Sequence, residues 1–236
     1  MNLVLAKTDT VRAPSDDFAA VRERLPGSGK VAQARQRAFE AYARAGLPHR
    51  RLEDWKYTDL RALMRELLPL AAAPDAAALE RGNKALASLQ ATDASRLVLV
   101  DGVLAPSLSN LGALEAGVRV QSLREVLEDS GNEARADLLD SGAASGPMIA
   151  LNAAMATDGV VISVADGTTL TKPLHVVHIA TRSSAAAYTR SFLTLGRAAH
   201  ATLLESFVAA DGAASYRPMT PSPSVSARMP SCSMSG

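Results

Sequence analysis

Hydrophobic positions along the chain change their period twice. From about residue 15 to 145 they recur at helical spacing, from about 147 to 208 they mostly alternate, and beyond 216 no period survives. In the first stretch Ser15, Asp16 and Asp17 can cap a helix that carries Phe18, Val21 and Leu25 on one face, and Pro26-Gly27 ends it. A second helix is predicted over 31–45, with Ala34, Ala38, Ala41 and Ala45 aligned and Gly46 closing it. Leu60, Leu63, Met64 and Leu67 repeat at i, i+3, i+4 and i+7, which predicts a third helix after Thr58. An alanine-rich helix is expected over 75–89. Among these helices sits one hairpin, in which Leu97-Val98-Leu99-Val100 and Val103-Leu104 flank Asp101-Gly102. Asp-Gly supplies the positive φ angles of a type I′ turn.

Met148, Leu151 and Met155 place a short amphipathic helix at the change of period. Strands are then predicted at 160–164, 174–179, 191–195 and 201–208, separated by Asp166-Gly167, Lys172-Pro173 and Gly196. Short strands so spaced fit a sandwich or a β-solenoid; a solenoid with coils of ~20–25 residues would have room for about two. The 148–155 helix would cap the near end, as stacked coils require. Residues 217–236 hold four prolines, six serines and three methionines but no leucine or isoleucine. Such a segment buries too little apolar surface to order itself. The chain therefore reads as α+β, with a helix-rich domain over 1–146, a β region over 147–216 and an aberrant, disordered tail over 217–236.

Composition narrows the function classes. The 236 residues are 47% hydrophobic, enough for a substantial core, and 25 basic against 24 acidic residues leave a net charge of +1. That balance argues against a long-range grip on nucleic acid or an anionic membrane. No apolar run approaches the ~18–20 residues of a membrane span. The start has too short an apolar patch for a secretion signal, and Cys232 is the sole cysteine, so a cytoplasmic location is expected.

Candidate chemistry is sparse. Pro26-Gly27-Ser28-Gly29-Lys30 keeps only the Gly-Lys element of a phosphate loop and reads as an interhelix turn. Of His49, His175, His178 and His200, the middle two are three apart on a predicted strand and so face opposite ways. Glu205 stands alone as a strand-borne carboxylate, and no nucleophile-elbow pattern is present. The segment around Glu53, Trp55 and Tyr57 holds the only tryptophan in a chain with 4% aromatic residues. A core anchor is expected there rather than an aromatic ligand box, because the segment leads directly into an amphipathic helix.

Three sequence blocks carry a family resemblance. Leu47-Pro48, Arg51 and Glu53-Asp54-Trp55-Lys56-Tyr57-Thr58 form the first; Leu97–Gly102 with Leu108-Ser109 form the second. The third runs from Ala150-Leu151-Asn152 through Asp158-Gly159 to Ile162, and Pro173–His178, Leu195-Gly196 and Glu205 agree with it. Together they resemble the SufB/SufD family of iron–sulfur cluster assembly proteins, on its SufD side because of the long front domain. Met148 replaces a usual phenylalanine. The resemblance implies a helical N-terminal domain, a right-handed parallel β-helix and a C-terminal helical domain. It also implies a non-enzymatic scaffold in complex with SufB and the ATPase SufC, where the complex, not this chain, handles an iron–sulfur cluster and ATP. The family's SufC contact, its SufB contact and a histidine proposed for cluster assembly would all follow residue 216, so no catalytic, cofactor or metal residue carries over. Two alternative classes are a β-helix acyltransferase, which would show hexapeptide repeats, and a carbohydrate-active β-helix, which would cluster carboxylates on one strand face.

The abrupt change after Tyr216 suggests a shifted reading frame. Methionine has one codon, so Met219-Thr220 re-read one frame on gives aspartate, and Met229-Pro230 gives alanine. The shifted reading permits Val-Thr-Glu and alternating β-branched residues, which a third coil would need.

Overall fold

The computed structural model describes residues 14–64, 68–89, 92–112, 114–140, 146–213, 216–221 and 224–227. Six α-helices occur among them: α1 Pro14–Val21, α2 Lys30–Ala45, α3 Leu60–Leu63, α4 Ala76–Ala87, α5 Leu123–Glu128 and α6 Pro147–Met155. Gly46, at φ 69°, ends α2 by donating to Tyr42 O at 2.7 Å. Asp75 and Ser122 cap α4 and α5 by accepting from Ala78 N and Glu125 N. The buried stripe of α2 comprises Val31, Ala34, Ala38, Phe39 and Tyr42, so the expected alanine row is only part of it. Phe18 of α1 stacks on Phe39 with ring centroids 4.4 Å apart. Helix α3 stops at Leu63; the remainder of its predicted extent, at 65–67, lies outside the described residues.

Among the described residues ten strands form three sheets. They are β1 Ser95–Val100, β2 Val103–Leu104, β3 Val118–Ser122, β4 Val160–Val164, β5 Leu174–Ala180, β6 Ala185–Tyr188, β7 Phe192–Leu195, β8 Leu203–Ala209, β9 Tyr216–Met219 and β10 Ser224–Ala227. One sheet has the order β2-β1-β5-β8, a second β10-β7-β4-β3, and a third β6-β9. Pairing is parallel at β1/β5, β5/β8, β4/β7, β7/β10 and β6/β9, and antiparallel at β1/β2 and β3/β4. In the parallel pairs Val161 faces Phe192, Leu174 faces Leu203 and Ala185 faces Tyr216, partners about 30 residues apart. Each round of the chain therefore contributes three strands and is longer than the spacing of the four predicted strands implied.

The interior between the first two sheets is apolar. Leu97, Leu99, Val160, Ile162, Val164, Leu174, Val176 and Leu193 meet there, each at most 3% exposed. Burying one such aliphatic side chain contributes about 1.5–3 kcal/mol. Helices cover the outer faces. Helix α4 packs Ala85 and Leu86 on Val98, Val100, Val177 and Ile179. Val31 and Ala34 of α2 join Leu123 and Leu127 of α5 near Val161 and Phe192. Helices α1, α2 and α6 share a cluster with Ala186 and Tyr188 of β6.

Two expectations need correction. The expected boundary at residue 146 is crossed by two sheets, since β1 pairs with β5 and β3 with β4. The tail expected to be unordered from 217 supplies β9 and β10, which pair through backbone groups with β6 and β7. Backbone ladders do not require apolar side chains, so composition alone misreads them. Residues 222–223 and 228–236, including Cys232, lie outside the described residues.

Candidate functional site

The block from Ala150 to Ile162 is where helices and sheets are joined. Helix α6 ends at Met155, and Ala156-Thr157-Asp158-Gly159 turns the chain into β4. Asn152, 2% exposed, donates from Nδ2 to Thr189 O at 3.0 Å and accepts from Arg190 Nη1 at 3.4 Å. Thr157 N donates to Tyr188 O at 2.9 Å. The Thr157 hydroxyl lies 3.1 Å from both Tyr188 O and Gly102 O, linking β6 to the β1–β2 turn.

Asp158 is the most connected group of the block. Its carboxylate is 2% exposed and accepts from Ser122 Oγ at 2.8 Å, Arg124 N at 2.9 Å and Leu104 N at 2.9 Å. Its carbonyl accepts from Arg190 N. One residue thus ties β2 and the start of α5 through its side chain, and the corner before β7 through its carbonyl. Gly159 has φ 155°, and a Cβ on it would overlap the Arg190 carbonyl oxygen. Only glycine fits that approach.

Two buried arginines brace the same region through carbonyls. Arg35 donates from Nη1 to Ala154 O at 3.0 Å and from Nε and Nη2 to Pro26 O. Burial, and secondarily the Arg124 guanidinium, pulls Arg35 down to about 9. Burial likewise lowers Arg190, whose guanidinium lies 5.8 Å from the Phe192 ring. The 26–30 segment is the interhelix turn expected, with Pro26 O held by Arg35 and Gly27 at φ 88°.

Asp101 performs a second duty beyond its turn. At φ 49° it forms the turn with Gly102 at φ 82°, and its carboxylate accepts from Thr181 N at 2.7 Å and Thr181 Oγ1 at 2.6 Å. Arg182 Nε lies 3.3 Å from the same carboxylate. The front hairpin is thereby pinned to the corner after β5.

The strand histidines do face opposite ways. His175 Nε2 lies 2.9 Å from Ser206 Oγ, and His178 Nε2 lies 2.9 Å from Glu205 Oε1. His178 also stacks on Phe207 at 4.7 Å. Glu205 is therefore not alone: β5/β8 pairing brings it to His178 across 27 residues of sequence, a contact that no local spacing reveals. Among the described residues no group of three or more His, Cys, Asp or Glu could hold a metal ion. No helix among them is long and apolar enough to cross a membrane.

The expected anchor at Glu53, Trp55 and Tyr57 is corrected. Tyr57 is 92% exposed, and Glu53 pairs at the surface with Lys56 at 3.1 Å. Trp55 is half-buried and borders a cavity of about 260 Å³ with Leu60, Met64, Met148 and Ile149. The segment forms a tight 3-10 turn over Glu53–Trp55 that lifts its neighbours to solvent.

Relatives agree with the sequence blocks. The chain is 31% identical over 191 residues to the iron–sulfur cluster assembly protein SufD of Escherichia coli, covering 79% of this chain and 41% of that protein. It is 28% identical over 172 residues to an iron–sulfur cluster assembly SufBD family protein of Synechocystis, covering 69% of this chain and 36% of the relative. These alignments thus span about two-fifths of the relatives' length. Residues 24–176 match the family model for the SufBD protein N-terminal region, a span that takes in α2, the β1–β2 hairpin and the Asp158 joint, and the chain belongs to the SufBD family.

Proposed function

We propose that this chain is the front part of a SufD-type scaffold subunit, working in the cytoplasm with SufB and the ATPase SufC to assemble iron–sulfur clusters. On this reading it is not an enzyme. The parallel rounds β4-β5-β6 and β7-β8-β9 are the first coils of a right-handed parallel β-helix. The cluster is cargo of the assembly, and ATP belongs to SufC.

The observation that carries the reading is the joint at 150–162. Its buried polar groups Asn152, Thr157 and Asp158 are all engaged in holding Gly102, Leu104, Ser122, Arg124, Thr189 and Arg190 in place. Polar groups so fully satisfied rigidify a frame. A rigid frame that presents a fixed surface suits a subunit that positions partners. The family assignment favours this reading over a β-helix acyltransferase or a carbohydrate-active enzyme.

Depletion of the parent protein in its host tests the function. Activity of a [4Fe–4S]-dependent dehydratase should fall while its polypeptide level holds, and chemical reconstitution of extracts should restore it. Unchanged dehydratase activity under iron limitation would contradict the reading.

A further inference from the structure

We propose that Asp211-Gly212 is a site of isoaspartate formation, and hence a substrate for a carboxyl methyltransferase that reads isoaspartyl residues. The chain holds four Asp-Gly pairs, at 101–102, 158–159, 166–167 and 211–212. In each, the amide nitrogen after the carboxyl belongs to a residue with no Cβ to shield it. The sequence ranks the four alike, and the structure separates them.

Three of the four carboxyls are clamped. Asp101 is buried, accepts from Thr181 N and Oγ1, and faces Arg182 Nε at 3.3 Å. Asp158 is buried under its three donors. Asp166 is exposed, yet Arg197 N and Arg197 Nε each donate to its carboxylate at 2.9 Å, and Gly167 N donates to Arg197 O at 2.7 Å. Asp211 differs in each respect. It sits exposed in the turn after β8, between the buried Ala210 and Ala213, where Ala213 N donates to Ala210 O at 3.0 Å. Among the described residues no donor pairs with its carboxyl and no acceptor takes Gly212 N. Gly212 has φ 86°, and a Cβ on it would meet nothing within 4 Å. Ser183 Oγ donates to Gly212 O, which leaves both reacting atoms free.

The step needs no co-reactant beyond water. Gly212 N attacks Asp211 Cγ, the N–Cγ bond forms, and the carboxyl hydroxyl leaves with the amide proton as water. Water then opens the resulting succinimide at either carbonyl. Opening at Cγ restores aspartate. Opening at the main-chain carbonyl carbon leaves the backbone running through Cγ, with a free carboxylate on Cα. Water is lost and regained, and no electrons are exchanged. The main chain between β8 and β9 gains a methylene, and the new carboxylate can take a methyl group from S-adenosylmethionine. At the other three pairs the hydrogen bonds on the carboxyl must break before the ring can close.

The test ages the purified full chain in neutral buffer and labels it with an isoaspartyl methyltransferase and a radioactive methyl donor. Trypsin then releases peptide 198–228, in which Asp211 is the single aspartate. Label should enter this peptide about tenfold or more faster than the peptides 97–119 and 136–182 that carry the other pairs. Cleavage by an aspartate-specific protease before Asp211 should be lost in step. In urea, where the clamps are gone, all four pairs should isomerise at comparable rates. Arg197→Ala should release Asp166 and raise labelling of 136–182, and Asp211→Glu should abolish the label in 198–228. A folded chain whose 198–228 peptide gains label no faster than the others would overturn the assignment. So would label that persists in Asp211→Glu.

Discussion

The carboxylate of Asp158 accepts the Ser122 hydroxyl at 2.8 Å, and Ser122 in turn caps α5. The start of α5 and the ends of β2 and β3 are thereby fixed by one buried side chain. Asp158→Ala would leave the Leu104 and Arg124 amides and the Ser122 hydroxyl without an acceptor. A loss of about 3 kcal/mol or more in unfolding free energy is expected. Asp158→Asn keeps an acceptor oxygen and should cost roughly half as much. Urea denaturation of the two variants measures both.

Gly159 and Gly167 offer a paired comparison. Both have positive φ, but a Cβ at Gly159 overlaps Arg190 O, whereas nothing lies within 4 Å of one at Gly167. Gly167→Ala should cost about 1 kcal/mol from backbone strain alone. Gly159→Ala must also displace the Arg190 carbonyl, and a loss above ~3 kcal/mol is expected. Equal melting temperatures for the two variants would refute the close approach.

Trp55 is half-buried beside a cavity, so Trp55→Ala should cost about 1–2 kcal/mol rather than the ~3–5 kcal/mol of a fully buried aromatic. Native fluorescence should lie between the buried and hydrated limits, with partial acrylamide quenching. Emission at either limit would contradict this placement.

Acid should destabilise the fold through His175. Its folded pKa lies below the ordinary 6.5, mainly through burial and then through Arg96. Above 6.5 the ring is neutral in both states and contributes nothing. As pH falls below 6.5 the unfolded chain takes up a proton that the folded chain resists, so stability drops, by at most about 1.4 kcal/mol per pH unit. His175→Gln should flatten that limb of the stability curve relative to the parent between about pH 6.5 and 5. Parallel curves for parent and variant would exclude the effect.

Much of the fold was legible where one residue type decides local geometry. The Asp101-Gly102 turn, the Gly46 end of α2 and the opposed faces of His175 and His178 all follow from dihedral or pleat rules. What was not legible depends on pairing between rounds. Strand β6, Ala-Ala-Ala-Tyr, has no alternation and is a strand because β9 lies alongside it and its Ala186 and Tyr188 enter the helical core. Glu205 meets His178 only through the β5/β8 register. Trp55 shows the opposite failure: a rare aromatic in an amphipathic context suggested a buried anchor, yet the tight turn at Glu53–Trp55 left Tyr57 in solvent. Asp158 lay in a recognised block, but its three donors come from sites 34 to 54 residues away, beyond any local signal.

Affinity capture of the tagged parent protein from its host tests the central claim most directly. A scaffold subunit of the proposed kind brings SufB and the SufC ATPase with it, identified by mass spectrometry and by ATP hydrolysis in the eluate. A parent protein captured free of both, and carrying acyltransferase or glycan-cleaving activity of its own, would contradict the account.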